Sequence, residues 1–454
     1  MIYVRLIKAI HGCVQSALLW YKMFHSYLKQ LGLELNPYDP CVANKIINGK
    51  QCTIARYVDD TKISHADSEV VSDIIDKVEE RFGKMTVIRG DEHVFLGMKT
   101  RYVKMNGTAE IMMREYLEEP IAESGLEITR TVATPTTRDL FDVNEDACPL
   151  ASLDAKVFHS VTAKLLYVSL RARGDLLPAV SFLSTRVSRS TTQDQAKLRR
   201  LLEYINGTLH YKYVLGADDL RKLRIWVDAS YAVHPDMKSH TGGVMSFGTG
   251  GIVCKSTKQK LNTKSSTEAE VVGASDYLPH TLWVQMFLAA QGYTLEETFL
   301  EQDNESAMRL EKNGRMSAGQ KSRHINIRYF WTKDRTEASG IEIRHCPTLA
   351  MLADFFTKPL QGHLFRRFRD VILGHCHVNT TLRNDFIFPP EERVGKERPD
   401  ADSTIAQREV SSNETAKNRN VESRMEVETT TVIETNEQNK QNTDASATSW
   451  VEVV

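Results

Sequence analysis

The 454-residue chain contains no run of 18 apolar residues, so the sequence offers no membrane-spanning helix. Its seven cysteines stand scattered at 13, 41, 52, 148, 254, 346 and 376, and none forms a C-x-x-C pair. That spacing argues against a disulfide framework or a zinc site and predicts reduced, intracellular thiols. The opening MIYVRLIKAIHGC is too short and too interrupted by charge for a secretory signal peptide, so the chain is expected not to be secreted. His375-Cys376-His377 has no second ligand cluster nearby and reads as surface chemistry. No internal repeat is present.

Excess charge is also lacking: 58 Lys+Arg oppose 59 Asp+Glu. The balance is uneven along the chain. Residues 391–454 hold 8 basic and 14 acidic residues, which leaves 50 basic and 45 acidic in 1–390. The body is mildly basic, which permits a nucleic-acid partner without requiring one. The stretch 391–454 is rich in Glu, Thr, Asn and Gln and nearly free of aromatics until Trp450. It has too little apolar surface to offset its chain entropy and is expected to be a disordered acidic tail.

Residues 17–32 place Leu18, Tyr21, Phe24, Leu28 and Leu31 on one helical face ending at Gly32. CTIARYV then reads as a strand and DDTKISHA as a turn with a return strand. Residues 68–83 form an amphipathic helix with Ser68 as its cap and Val71, Ile74, Ile75, Val78 and Phe82 as its stripe. HVFLGMKTRYV reads as strand, 134–150 as a polar linker, and 158–172 and 192–210 as helices. From about 222 the pattern changes to three short strands with glycine turns, then helix, strand, helix, strand: an α/β unit.

Two groups of carboxylates stand out. Asp59 and Asp60 are adjacent, after an apolar run and Tyr57. Two like charges at close range repel unless a cation sits between them, although a solvated turn explains the pair equally well. The second group is Asp228, Glu270, Asp303 and Asp354, on four separate elements. Asp228 follows Ile225-Trp226-Val227 at a strand end. Glu270 lies in the first turns of a helix, Asp303 between a strand and a helix, and Asp354 in a helix with Pro347 near its start. Taken singly these have plain explanations. Glu270 completes a Thr267-x-x-Glu capping box, although Ser265 and Glu268 offer the same box, and Asp303 suits a helix N-cap. Together, oxygen ligands converging from several rigid elements are what two Mg²⁺ ions in phosphodiester cleavage require.

In this order WVDASYA, SSTEAE, DNESA, KSRHINIRYFW and LADFFTKPL resemble the successive blocks of ribonuclease H domains of copia-type LTR retrotransposons. RYVDDTKIS is similar to the Y-x-D-D hairpin of reverse transcriptases. IHGCVQSALLWY resembles the helix-opening block at the nucleotide and template site, and VFLGM the strand after the palm helix. KLLYVSLRARGDLLPAVSFLS resembles the region connecting polymerase to nuclease. The resemblance covers residues 1 to about 375. It implies an α/β (α+β) chain with four parts: a partial reverse transcriptase palm and thumb at 1–133, a linker and helical connection at 134–221, a ribonuclease H-like mixed sheet at 222–375, and the tail.

The implied activity is Mg²⁺-dependent hydrolysis of RNA in RNA–DNA hybrids, with Mn²⁺ as a substitute. Asp228, Glu270, Asp303 and Asp354 would be catalytic metal ligands. Asp59 would be a polymerase metal ligand with Asp60 beside it, and Tyr57, Gln15 and His324 would lie along the nucleic acid. The implied partners are an RNA–DNA hybrid, an RNA template with a DNA primer, and the rest of a polyprotein, in a cytoplasmic particle or the nucleus. The family's earlier palm Asp has no counterpart here, since no acid precedes Glu34. The polymerase half is therefore expected to be truncated and inactive, and the alternative reading is a non-catalytic relic that at most binds nucleic acid. GCVQSALLWY departs from the family's commoner block at Gln15, and Pro279 is expected to kink or end the helix carrying Glu270.

Overall fold

The computed structural model describes residues 13–58, 60–313, 323–382 and 428–433. In chain order these form α1 (Val14–Gln30), β1 (Glu34–Leu35), β2 (Val42–Ile47), β3 (Lys50–Tyr57), β4 (Asp60–His65), α2 (Ser68–Phe82), β5 (Thr86–Arg89), β6 (Glu92–Phe95), β7 (Met98–Val103), β8 (Thr108–Met112) and α3 (Glu115–Glu123). Next come α4 (Ser152–Ser169), α5 (Leu177–Ser184), α6 (Thr192–Gly207), β9 (Tyr213–Ala217), β10 (Lys222–Ser230), β11 (His240–Ser246), β12 (Gly248–Thr249), β13 (Val253–Lys258) and α7 (Ser266–Ala290). The series ends with β14 (Glu297–Gln302), α8 (Glu305–Asn313), α9 (Arg323–Ala338), β15 (Ile341–His345), α10 (Asp354–Thr357), α11 (Gly362–Ile372) and β16 (Glu428–Ile433). None of these helices is long and apolar enough to cross a membrane.

The first sheet has the order β1-β2-β3-β4-β16-β5. Along β3 the alternate residues Cys52 and Ile54 point inward, and Ile63 does so on β4. They meet Phe24 and Leu28 of α1 and Val71, Ile74, Ile75 and Val78 of α2 in one apolar cluster. The two helix stripes read from the sequence are therefore largely in place, with two differences. Leu18 is 53% exposed. The cap of α2 is Asp67, whose carboxylate accepts from Glu69 N at 2.9 Å, so Ser68 is the first helical residue. VFLGM is not one strand either: Leu96 and Gly97, both at positive φ, turn β6 back into β7.

A second sheet, β12-β9-β8-β7-β6, leads into the helices. The segment 134–150 has no helix or strand beyond a single bridge from Pro149 to Thr191, yet it buries Leu140 and Phe141. It is an anchored connection more than a free linker. The helices α4 and α6 match the expectation. Helix α5 lies between them where the sequence reading placed nothing: PAVSFLS is a short apolar run without a polar face, with Pro178 in its first turn.

The third sheet has the order β13-β11-β10-β14-β15. Strands β10, β11 and β13 pair antiparallel, while β14 and β15 run parallel to β10. This is the mixed sheet with helices expected for 222–375. Leu223, Ile225 and Val227 of β10 pack with Tyr277, Leu278 and Val284 of α7 on one face. Trp226 and Val244 belong to the cluster on the other face, with Phe355, Phe356 and the connection helices. Helix α7 continues through Pro279 to Ala290, in place of the kink or end expected there. Its far end meets the first sheet unit: Trp283 Nε1 donates to Tyr38 O at 3.1 Å, and Asn36 Nδ2 donates to Phe287 O at 3.2 Å.

Within 391–454, expected to be disordered throughout, Glu428–Ile433 instead forms β16, antiparallel to both β4 and β5. The sequence ETTTVI is mostly β-branched, which suits an extended ladder. Among the described residues β5 has no other strand partner. Removing 391–454 should therefore lower hydrogen-exchange protection along Thr86–Arg89 and at the alternate β4 amides that face β16, while β3-facing amides of β4 and the strands β10 and β11 stay protected. Unchanged protection in β4 and β5 would show that the strand contributes nothing.

Helix α8 buries one carboxyl, Glu311, with no hydrogen-bond partner for either oxygen among the described residues. Burial pushes it up from 4.5 to about 8. The core accepts the protonated form, so its contribution is complete below about pH 4.5 and is lost as pH rises through about 8. Glu311→Gln should match the wild type in denaturant stability near pH 4.5 and exceed it by roughly 4–5 kcal/mol at pH 8.5. A difference that does not grow with pH would contradict this.

Candidate active site

The site begins with β10, the central strand of its sheet, which carries Asp228 two residues from its end. Asp228 sits opposite Gly242 of β11. A Cβ at Gly242 would lie 2.7 Å from both Phe356 Cβ and Thr357 Cγ2, so only glycine lets α10 settle onto the sheet here. That close approach brings Thr357 Oγ1 to donate to Asp228 Oδ2. Ser230 Oγ donates to Thr357 O at 3.0 Å and ties the same turn down.

Glu270 arrives from α7. Ser265 caps that helix, its Oγ accepting from Glu268 N at 3.2 Å, and the Glu268 carboxylate accepts from Lys264 N at 2.7 Å. The cap is thus complete without Glu270, which is buried with Oε2 unpartnered among the described residues. Asp303 follows β14. Its neighbour Asn304 caps α8 through Ala307 N at 3.0 Å, and Gln302 Oε1 accepts from Asp303 N at 2.9 Å. Asp303 is left with no capping duty.

Asp228, Glu270 and Asp303 each offer a carboxylate oxygen within 4.8 Å of the others. Asp354 reaches the cluster differently from the expectation. Its segment is not one helix: Pro347 caps a single 3₁₀ turn, Thr348–Ala350, and Asp354 then opens the four-residue α10. Asp354 is buried, and its Oδ1 accepts from Lys358 Nζ at 2.6 Å, while the same nitrogen lies 3.6 Å from Asp228 Oδ2.

The electrostatics follow from packing like charges out of water. Burial first, then Asp228 and Asp303, hold Glu270 well above the usual carboxylate range. Burial and Asp228 raise Asp303 and Asp354 as well, and Lys358 opposes the shift in all three. Such a cluster has the composition and the charge deficit of a divalent-cation site. The unpartnered Glu270 Oε2 fits that reading, since a buried acceptor without a donor is costly in a site built for itself alone.

The polymerase-like residues form no comparable cluster among the described residues. Asp59 lies outside them. Asp60 opens β4, paired with Tyr57, and its Oδ2 accepts from Leu96 N at 3.4 Å. Between them Val58 takes φ +56°, a strained value for a β-branched residue, and its carbonyl accepts from Trp20 Nε1 at 2.9 Å. Tyr57 is 55% exposed and Gln15 is exposed. His324 lies on α9, with its side chain outside the described residues. Of the basic residues near the third sheet, Lys258 pairs with Asp236 at 2.7 Å and Arg328 pairs with Asp276, so neither is uncommitted. His375 Nε2 meets Lys212 O at 2.8 Å and His377 Nε2 meets Asp218 Oδ2 at 2.7 Å, two separate sets of partners.

Sequence reasoning missed Thr357, Lys358 and Trp20. A signal for Lys358 was present, since it stands four residues after Asp354. Trp20 and Val58 are 38 residues apart, and no local pattern joins them.

Residues 2–138 match the reverse transcriptase (RNA-dependent DNA polymerase) family. The chain is 26% identical over 380 residues to the retrovirus-related Pol polyprotein from transposon TNT 1-94 of Nicotiana tabacum, covering 82% of this chain and 28% of that protein. It is 27% identical over 367 residues to the corresponding polyprotein from transposon RE2 of Arabidopsis thaliana, covering 80% and 24%. With the transposon Ty1-BR Gag-Pol polyprotein of Saccharomyces cerevisiae the identity is 26% over 386 residues, covering 80% and 21%. The chain thus spans about a quarter of the length of these relatives. Among solved structures, a foamy viral protease-reverse transcriptase in complex with RNA/DNA hybrid overlaps 75% of this chain and 39% of its own, at 14% identity and TM-score 0.41, too loose a likeness to argue from. The family match covers residues 2–138, and over about four fifths of its length the chain is similar to Pol polyproteins of copia-type retrotransposons.

Proposed function

We propose that the unit at 222–375 is a ribonuclease H-type endonuclease that cuts the RNA strand of RNA–DNA hybrids, with Asp228, Glu270, Asp303 and Asp354 as the residues that would hold Mg²⁺ or Mn²⁺. The observation that carries this reading is the convergence of three carboxylate oxygens within 4.8 Å from a strand end, a helix and a strand–helix junction. Divalent ions bound there would supply charge to activate water and to stabilise the leaving oxygen. The protein's own part is to fix the ligands in place. The central strand sets Asp228, the independent Ser265 cap leaves Glu270 free to face the cluster, and Asn304 takes the capping role beside Asp303. Thr357 orients one Asp228 oxygen by hydrogen bond, which leaves Asp228 Oδ1 for a ligand.

The family match at 2–138 supports a polymerase ancestry for the first half; on that reading Asp59 would be a metal ligand with Asp60 beside it, and Tyr57, Gln15 and His324 would lie along the nucleic acid. No cluster of described residues there compares with the one in the second half, so the nuclease is the activity to test first.

The full chain with Mg²⁺ should cleave the RNA of a labelled RNA–DNA hybrid and leave the DNA strand whole. Asp303→Asn should lower the single-turnover rate by about 100-fold or more, because one ligand to the stabilising charge is lost. Hybrid affinity should change little, since phosphate contacts are made by cations elsewhere. Intact hybrid RNA in both Mg²⁺ and Mn²⁺, with binding retained, would favour a non-catalytic nucleic-acid-binding role and end the nuclease reading.

A further inference from the structure

Lys358 sets its ammonium against two nearly fully buried carboxylates of the cluster. It follows α10 directly, with its backbone N donating to Asp354 O at 2.9 Å and its carbonyl accepting from Leu360 N at 2.8 Å. Both ends of the residue are therefore held, and the side chain folds back across its own turn to the carboxylates. Nζ lies 2.6 Å from Asp354 Oδ1 and 3.6 Å from Asp228 Oδ2. The partners are almost fully buried, while the Lys358 side chain keeps 41% of its surface exposed. A flexible stem with a half-open path to solvent can leave, whereas the carboxylates cannot.

We propose that Lys358 is a built-in counter-cation that occupies the Asp228–Asp354 side of the site and gates the binding of one divalent ion there. An ammonium shared by two carboxylates stands where a cation bridging them would have to sit. The opposite side, where Asp228, Glu270 and Asp303 converge, is not spanned by any lysine or arginine contact among the described residues. The two sides of Asp228 are thus unequal: one open to an ion, the other already neutralised. Without Lys358 the buried carboxylates would repel one another in the ion-free protein, and a second ion would bind with no competitor. Lys358 is on this account a positioning residue, and the inference rests on the divalent-cation reading of the site.

Mn²⁺ titration of the full chain by calorimetry, with thermal melting in EDTA, separates the two claims. The wild type should bind one Mn²⁺ more tightly than the second. Lys358→Met should melt at lower temperature in EDTA and bind the second ion about tenfold more tightly, while Lys358→Arg should keep the wild-type pattern. If Lys358→Met is unfolded without ions, saturating Mn²⁺ should restore its melting transition, and failure to do so would overturn the proposal. Equal second-ion affinity in wild type and Lys358→Met would overturn it too. A wild type that binds no Mn²⁺ at all would instead remove the metal site itself.

Discussion

The constraint on which the second half of the chain depends is the burial of several carboxylates around the end of one central strand. Charges of one sign, withdrawn from water and set close together, raise each other's cost of ionisation. The fold opposes that cost in two specific ways. Lys358 places a positive charge between Asp354 and Asp228, and Thr357 gives Asp228 a donor. Both come from one short turn, which reaches the strand only because Gly242 presents no side chain beneath it. An apolar core built for stability alone would not retain such a cluster.

The other half is organised around a different strain. The β3–β4 hairpin turns at Val58, in a backbone region that β-branched residues avoid, and Trp20 of α1 holds its carbonyl. Trp20 in turn packs against Phe24 and Phe82, so the tight turn is braced by the same aromatic cluster that joins α1 to α2. Arg56, one residue before Tyr57, is buried beneath, with its guanidinium over Phe24 at 4.8 Å from the ring centroid. The described part of the turn thus rests on a buried aromatic base. The two halves touch through the far end of α7, the helix whose first turns carry Glu270. A single rigid element therefore runs from the carboxylate cluster to the edge of the first sheet unit.

What the sequence by itself determined was most of the elements around the site and where the candidate carboxylates stand on them. Short apolar runs marked β3, β10 and β14, helical stripes marked α1 and α2, and Asp228, Glu270 and Asp303 were legible because each stands at or near the boundary of such an element. These are local signals, carried by neighbours within a few residues. Tertiary structure decided the rest. Whether Glu270 served a cap or faced the cluster depended on Ser265 taking the cap, and two equivalent boxes in the sequence could not settle it. The break of the Asp354 segment into a 3₁₀ turn and a four-residue helix was set by packing onto Gly242, 112 residues earlier in the chain by the numbering. The pairing of β16 with β4 and β5 likewise joins stretches whose composition pointed apart, polar tail and apolar sheet. Backbone ladders read extended geometry and unsatisfied hydrogen-bonding groups, not composition, so this contact was invisible until the sheet was assembled.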